Sequence, residues 1–302
     1  MNAPQTAAEL QQRFSIPGLE FTEGNGGLVR GTVNSPVCHG EFYLYGAHVT
    51  AFHPSGQSPI LWMSHKSHFE VGKPIRGGIP LCFPWFGPHP SDASAPAHGM
   101  ARTTAWTMTA ASRLGNGGIG VELQLVQADF SLIYRVKFGA HLELELSVTS
   151  LAERGKTLTY EEALHSYFQV ADIHRVRIRG LEGTPLLDKV MGGQRLPGSD
   201  AAIEFGGETD RVYAPTRADC TILDPGMHRA IEIQKSGSQT TVVWNPWISK
   251  SAKMPDFGDD EWPGMVCVET ANVGEYAVVI HPHDTHVMRV GISSRPLLPG
   301  EL

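Results

Sequence analysis

Polar and apolar residues alternate one by one over several stretches of this chain. In His141-Leu142-Glu143-Leu144-Glu145-Leu146-Ser147-Val148, the residues Leu142, Leu144, Leu146 and Val148 fall on one side of an extended backbone. Val121-Glu122-Leu123-Gln124-Leu125 and Arg175-Val176-Arg177-Ile178-Arg179 repeat the pattern. A period of two marks antiparallel strands with one face packed and the other wet. Gly115-Asn116-Gly117-Gly118, Met191-Gly192-Gly193 and Pro197-Gly198-Ser199-Asp200 separate such runs and predict turns. Helical periods are scarce, with short helices expected at Ala7 to Phe14 and Ile248 to Met254. Many strands, short turns and few helices predict an all-β antiparallel sandwich. No linker, low-complexity tract or internal repeat is visible. One domain over residues 1–302 is therefore expected, with residues 1–16 as a loosely attached N-terminal segment.

Composition narrows the function classes. A length of 302 residues suits one large sandwich, and 41% hydrophobic with 18% charged residues is ordinary for a globular protein. The net charge of −7 argues against a nucleic-acid surface, and requires a local cationic cluster wherever an anionic substrate is to bind. Cys38, Cys82, Cys220 and Cys267 are scattered without a C-x-x-C pair, which predicts free thiols in a reducing compartment. MNAPQTAAELQQRF has neither a basic n-region nor an apolar h-region, and no apolar run reaches the length of a membrane span. A cytoplasmic, monomeric protein without membrane or nucleic-acid partners is expected.

Three segments carry candidate chemistry. Between Pro74 and Trp106, prolines 74, 80, 84 and 88 forbid a continuous helix or an inner strand. Glycines 77, 78, 87 and 99 permit a positive φ and close backbone approach. Such an apolar but irregular stretch predicts the wall of a pocket, and it contains Arg76, His98 and Arg102. The competing reading is a long packed loop with its arginines in solvent. The other two segments, Ala163-Leu164-His165-Ser166-Tyr167-Phe168 and Met265-Val266-Cys267-Val268-Glu269-Thr270, each place one ionisable residue after an apolar run. A histidine that gives a proton and a carboxylate that takes one are the minimum for moving protons across a substrate. Locally, the structural reading is the commoner one for each, as a hydrogen-bonded core histidine and a salt-bridged carboxylate.

Six blocks resolve that ambiguity. IRGGIPLCFPWFGPH, HGMAR, ALHSYFQVADI, ETDRVY, VVWNPWISKSAKMPDFGDDEW and VCVETANV, in this order, resemble the hexose-6-phosphate mutarotases (glucose-6-phosphate 1-epimerases). These are a branch of the aldose 1-epimerase, or galactose mutarotase-like, superfamily. The likeness runs from about residue 17 to residue 295, with Met100 where the family often has Phe and Ser166 where Thr is common. It implies a galactose mutarotase-like β-sandwich and cofactor-independent interconversion of the anomers of glucose 6-phosphate and related sugar phosphates. Alternatives are an epimerase of free aldoses and a non-catalytic carbohydrate-binding protein.

Anomer interconversion needs a base at the C1 hydroxyl and an acid at the ring oxygen, on opposite sides of the sugar. The resemblance places the base on Glu269, ionised by default, and the acid on His165, an imidazolium near its ordinary pKa. It places His98 at the C1 hydroxyl or ring oxygen, and Asp210 on two vicinal sugar hydroxyls. For Asp210 the rival reading is a surface turn with a local Asp–Arg pair. Arg76 and Arg102 are the candidate phosphate clamp, since a planar guanidinium fits phosphate bidentately. Gly77 and Gly78 are expected to offer backbone N–H groups to the same anion, and Lys73 to add charge from the rim. Asn245 and Trp247 are expected near the pocket without a catalytic role. His281, His283 and His286 form a run in which H-x-H on a strand would point two imidazoles to one face, a metal-site spacing. The sequence marks no acidic or thiol partner for it, so no metal is expected. Were it a site, a metal-assisted hydrolase or a cupin-like enzyme would follow.

Overall fold

The computed structural model describes residues 5–301. Two eight-stranded antiparallel sheets dominate it. One runs Arg177–Arg179, Cys220–Asp224, Arg229–Ser236, Thr285–Pro296, Leu142–Ser150, Phe130–Phe138, Ile119–Val126 and Thr107–Arg113. The other runs Gln194–Leu196, Leu186–Asp188, Thr209–Tyr213, Thr240–Asn245, Met265–Asn272, Glu162–Leu164 and Leu81–Cys82, with Tyr167–Gln169 also paired to Met265–Asn272. A four-stranded sheet (Leu19–Glu23, Val29–Asn34, Cys38–Tyr43, His48–Pro54) and the pair Leu158–Tyr160 with Val278–Ile280 complete the all-β architecture.

The alternating segments pack as their pattern requires. Leu142, Leu144, Leu146 and Val148 are buried, as are Val121 and Leu123, and all join one large core cluster. The expected strand at 175–179 is shorter. The Asp172 side chain accepts from the His174 N–H and caps a 3₁₀ turn at Ile173–Arg175, so the strand starts at Arg177. The expected helix at 248–254 is also shorter, spanning Trp247–Ser251, because Pro255 bars Met254 from helical backbone.

The N-terminal segment is docked, where loose attachment was expected. Thr6 and Glu9 form a reciprocal capping box on the helix Ala7–Arg13. Leu10 and Phe14 enter the main core, and the Gln5 amide exchanges hydrogen bonds with the Met108 backbone. That docking is established for residues 5–16; residues 1–4 lie outside the described residues.

Met265–Asn272 is buried along its whole length and divides its side chains between two environments. Val266 and Val268 join the core cluster that contains the leucines of the opposite sheet. Met265 and Cys267 pack with Trp62, Tyr167, Trp244 and Phe257, and Ala271 packs with Cys82, Ala163, Val212 and Val242. The second sheet thus has one face in the sandwich core and another that faces away from it. Glu269 belongs to the latter, two residues on from Cys267.

Candidate active site

Strand register gathers the site. Directly opposed residues on antiparallel strands share a face. Asp210 lies opposite Trp244, Trp244 opposite Cys267, and Cys267 opposite Tyr167, while Glu269 lies opposite Val242. These side chains form adjoining rows on the face turned from the core. Glu269 sits within Met265–Asn272, where the sequence placed it just beyond the strand. His165 occupies the break between Glu162–Leu164 and Tyr167–Gln169. There the His165 and Tyr167 N–H groups donate to the Pro80 and Gly78 carbonyls at 3.0 and 2.9 Å. The proline-rich segment therefore does wall this site, and its only strand is the two-residue edge Leu81–Cys82.

His165 Nε2 and Glu269 Oε1 are 3.3 Å apart, with side-chain exposures of 8% and 1%. The Tyr167 ring stacks on His165 at 4.8 Å between centroids, with 10° between planes. Burial pushes the Glu269 carboxyl well above the usual range; Lys189 and Arg102 oppose the rise and Asp210 adds to it. Burial likewise drives the His165 imidazole well below its ordinary value, helped by His98, Arg102 and Arg76. The expectation was a carboxylate ionised by default and an imidazolium near its ordinary pKa; burial shifts both the other way. The two groups touch, and both are biased toward their neutral forms. His165 Nδ1 and Glu269 Oε2 are buried without a partner among the described residues.

His98 has a left-handed φ of 63° and lies 5.7 Å from His165 between ring centroids. Its Nδ1 accepts the Gly87 N–H at 3.3 Å and sits 3.5 Å from Cys82 Sγ. An accepting Nδ1 puts the proton on Nε2, so His98 offers a fixed donor. Burial, then Arg102, Lys189 and Arg76, hold it well below its ordinary pKa, so it stays neutral.

The two arginines differ. Arg76 Nε and Nη2 grip the Asp256 carboxylate at 3.1 and 3.0 Å, and Nη1 donates to the Tyr167 hydroxyl at 2.9 Å. Its fork is already filled by a carboxylate. Arg102 is buried, donates from Nη2 to the Ala97 carbonyl at 2.7 Å and leaves Nε unpaired. Among the described residues no carboxylate lies in salt-bridge reach of it. Gly77 and Gly78 serve backbone packing, contrary to expectation. A Cβ on Gly78 would lie 2.2 Å from the Val49 carbonyl oxygen, and the Gly78 N–H is already bonded to Trp62 O at 2.7 Å. Lys73 pairs with Glu70 at 2.8 Å on the surface.

Asp210 is not in a local Asp–Arg pair, for Arg211 points to the opposite face and binds Asp188 at 3.0 Å. Asp210 instead lies 3.7 Å from Lys189 Nζ and 3.8 Å from Lys250 Nζ, and burial raises its pKa. Asn245 is structural: its amide donates to Trp262 O and Met265 O, and it accepts the Trp247 N–H. Trp247 packs on Trp262 and His174. Lys189, Tyr167 and Asp256 went unremarked in the sequence, although Tyr167 and Asp256 lie inside two of the six blocks. A cavity of about 290 Å³ adjoins the site face, lined in part by Phe86, Lys189 and Val212. Another, of about 540 Å³, is lined by Glu41, Thr50, Ser64 and His65 and lacks all of these site residues.

The run of three histidines does not converge. His281 and His283 are exposed in a turn ahead of Thr285–Pro296, so they do not lie on one strand face. His286 is bound to Glu162 Oε1 at 3.0 Å.

The chain matches the family model "Aldose 1-epimerase" over residues 32–293. It is 37% identical to a candidate glucose-6-phosphate 1-epimerase of Salmonella typhimurium, covering 79% of this chain and 81% of that one. A protein of Cenchrus ciliaris described in the same words is 33% identical over 97% and 89% of the two chains. The crystal structure of a candidate mutarotase, YeaD of Salmonella typhimurium, superposes with a TM-score of 0.86 at 30% identity, over 93% of this chain and 95% of that one. Galactose 1-epimerase of Lactobacillus acidophilus shares the fold, with a TM-score of 0.71 at 12% identity over 92% and 98%. With the family model matched over most of its length, the chain belongs to the aldose 1-epimerase family.

Proposed function

We propose that this protein interconverts the α and β anomers of glucose 6-phosphate and related hexose 6-phosphates, without a cofactor. The observation that carries the phosphate reading is Arg102, a buried guanidinium beside the His165–Glu269 pair that has no carboxylate partner among the described residues. A cation held so costs free energy unless an anion joins it, and a sugar phosphate supplies one. The relatives described as candidate glucose-6-phosphate 1-epimerases support the same substrate.

The reaction moves two protons between the pair and the sugar. Glu269 takes the proton of the C1 hydroxyl while His165 protonates the ring oxygen, and the C1–O5 bond breaks to give the open aldehyde. The reacting form is carboxylate–imidazolium, which has the same proton count as the carboxylic acid–imidazole form that burial favours, and ring opening carries the pair to the latter. Rotation about C1–C2 presents the other carbonyl face. O5 then adds back, His165 recovers its proton from O5, and Glu269 returns one to O1. The two oxygens sit on one carbon, so neighbouring side chains suffice and an acid and base on opposite sides are not required. His98 Nε2–H steadies the charge that develops there, and Asp210 holds vicinal hydroxyls that set the ring's orientation. Arg102 takes the phosphate, with Arg76 adding the N–H groups that Asp256 leaves free.

The test is the optical relaxation of freshly dissolved α-glucose 6-phosphate, with glucose and galactose run in parallel. Acceleration of the phosphosugar well above the free sugars is expected. Equal acceleration of all three would make the protein a general aldose epimerase, and none would leave a binding protein. We also place the protein in the cytoplasm, a reading supported by four cysteines that are all free and buried. Among the described residues no helix is long and apolar enough to cross a membrane.

A further inference from the structure

We propose that His165, Cys267 and Glu269 form a reversible site for a borderline-soft divalent cation, zinc above all, whose occupancy excludes the sugar and silences the enzyme. One ligand atom from each lies within 4.8 Å of the other two, and all three residues are buried. The 3.3 Å between His165 Nε2 and Glu269 Oε1 is the edge of a tetrahedron built on metal–ligand bonds of about 2.0–2.1 Å. A sulfur at about 2.3 Å requires edges near 3.5 Å, so with separations within 4.8 Å Cys267 Sγ has at most about 1.3 Å to close. Cys267 and Glu269 project from one strand two residues apart, and His165 faces them, so no main-chain movement is needed.

Mixed sulfur, nitrogen and oxygen donors select zinc or cobalt(II) over magnesium or calcium, which prefer oxygen alone. A bound cation deprotonates its coordinating thiol outright. Thiolate and carboxylate then balance the dication, each thiol or acid proton passing to solvent. The nearby Arg102 and Lys189 oppose a cation, which makes the site reversible where a structural zinc is permanent. The ion would occupy Nε2 of His165 and Oε1 of Glu269, the acid and the base, so sugar and zinc exclude one another.

Binding can be read independently of activity. Metal-free protein titrated with cobalt(II) should take up one equivalent, with a sulfur-to-cobalt charge-transfer band and the strong visible absorption of tetrahedral cobalt. Zinc should displace the cobalt, and anomerisation should fall in step with zinc occupancy and return with a chelator. The inhibition arm rests on the proposed activity, whereas the cobalt spectrum holds even if the protein turns over nothing. Cys267→Ser and Cys267→Ala, each compared with its own metal-free rate, should lose the charge-transfer band and bind zinc at least about tenfold more weakly. A double variant, His281→Ala with His283→Ala, should keep both band and inhibition. Absence of a thiolate band in folded wild-type protein, tight zinc binding without inhibition, or loss of binding only in the His281/His283 variant would overturn the proposal.

Discussion

Replacing Arg102 and Arg76 one at a time should have opposite consequences for binding and for stability. Among the described residues Arg102 has no carboxylate to lose, so Arg102→Ala removes a costly buried charge and leaves no orphaned anion. Its cost falls on the substrate: a charge-assisted bond of about 1.5–3 kcal/mol corresponds to a rise in KM for glucose 6-phosphate of roughly 10- to 150-fold. Any activity on free glucose should change far less, and Arg102→Lys should recover only part of the loss. Arg76→Ala strands the Asp256 carboxylate, whose side chain is 9% exposed. Breaking such a pair from one side costs about 3–5 kcal/mol. With an unfolding entropy of about 0.6 kcal/mol/K for 302 residues, Tm should fall by about 5–8 °C. Asp256→Asn in the Arg76→Ala background should restore most of that. The assays are polarimetric kinetics on both sugars and calorimetric melting of all four proteins. Equal kinetic losses for glucose and its phosphate, or an Arg102→Ala melting drop as large as that of Arg76→Ala, would refute this reading of the two cations.

Glu269→Gln and His165→Ala should each lower anomerisation by about a hundredfold to ten-thousandfold in folded protein, measured by the same relaxation. The raised carboxyl of Glu269 also predicts a stability crossover. The folded state keeps this proton while the unfolded state sheds it, so the contribution is present at low pH and lost as pH rises through and above the usual carboxylate range. Glu269→Gln should therefore gain stability on wild type progressively with pH, in denaturant titrations from acid to neutral; a constant difference would show that the carboxyl titrates normally. His98→Gln, which keeps an N–H donor, should retain more activity than His98→Ala, because His98 acts as a neutral donor. Chelator treatment should not lower the rate of wild-type protein, since the proposed proton transfers run between side chains and the sugar.

The chain's own pattern determined the fold class and marked several residues of the candidate site. Strict alternation from Leu142 to Val148 specifies a strand with one apolar face, because side chains on extended backbone alternate in direction. The prolines around Arg76 specify irregular backbone, and the six ordered blocks pointed to His165, Glu269, His98 and Asp210 together. What the sequence left open was set by distant partners. Whether Arg76 faces phosphate or a carboxylate depends on Asp256, 180 residues away, and no local spacing encodes that contact. The ionisation of His165 and Glu269 likewise follows from burial and from Lys189, Arg102 and Asp210 arriving on neighbouring elements. Gly78 approaches Val49, not an anion, for the same reason. Local sequence fixes what a side chain is able to do and which way a strand turns it. Solvation and charge are sums over everything packed around it, and only the closed tertiary structure performs that sum.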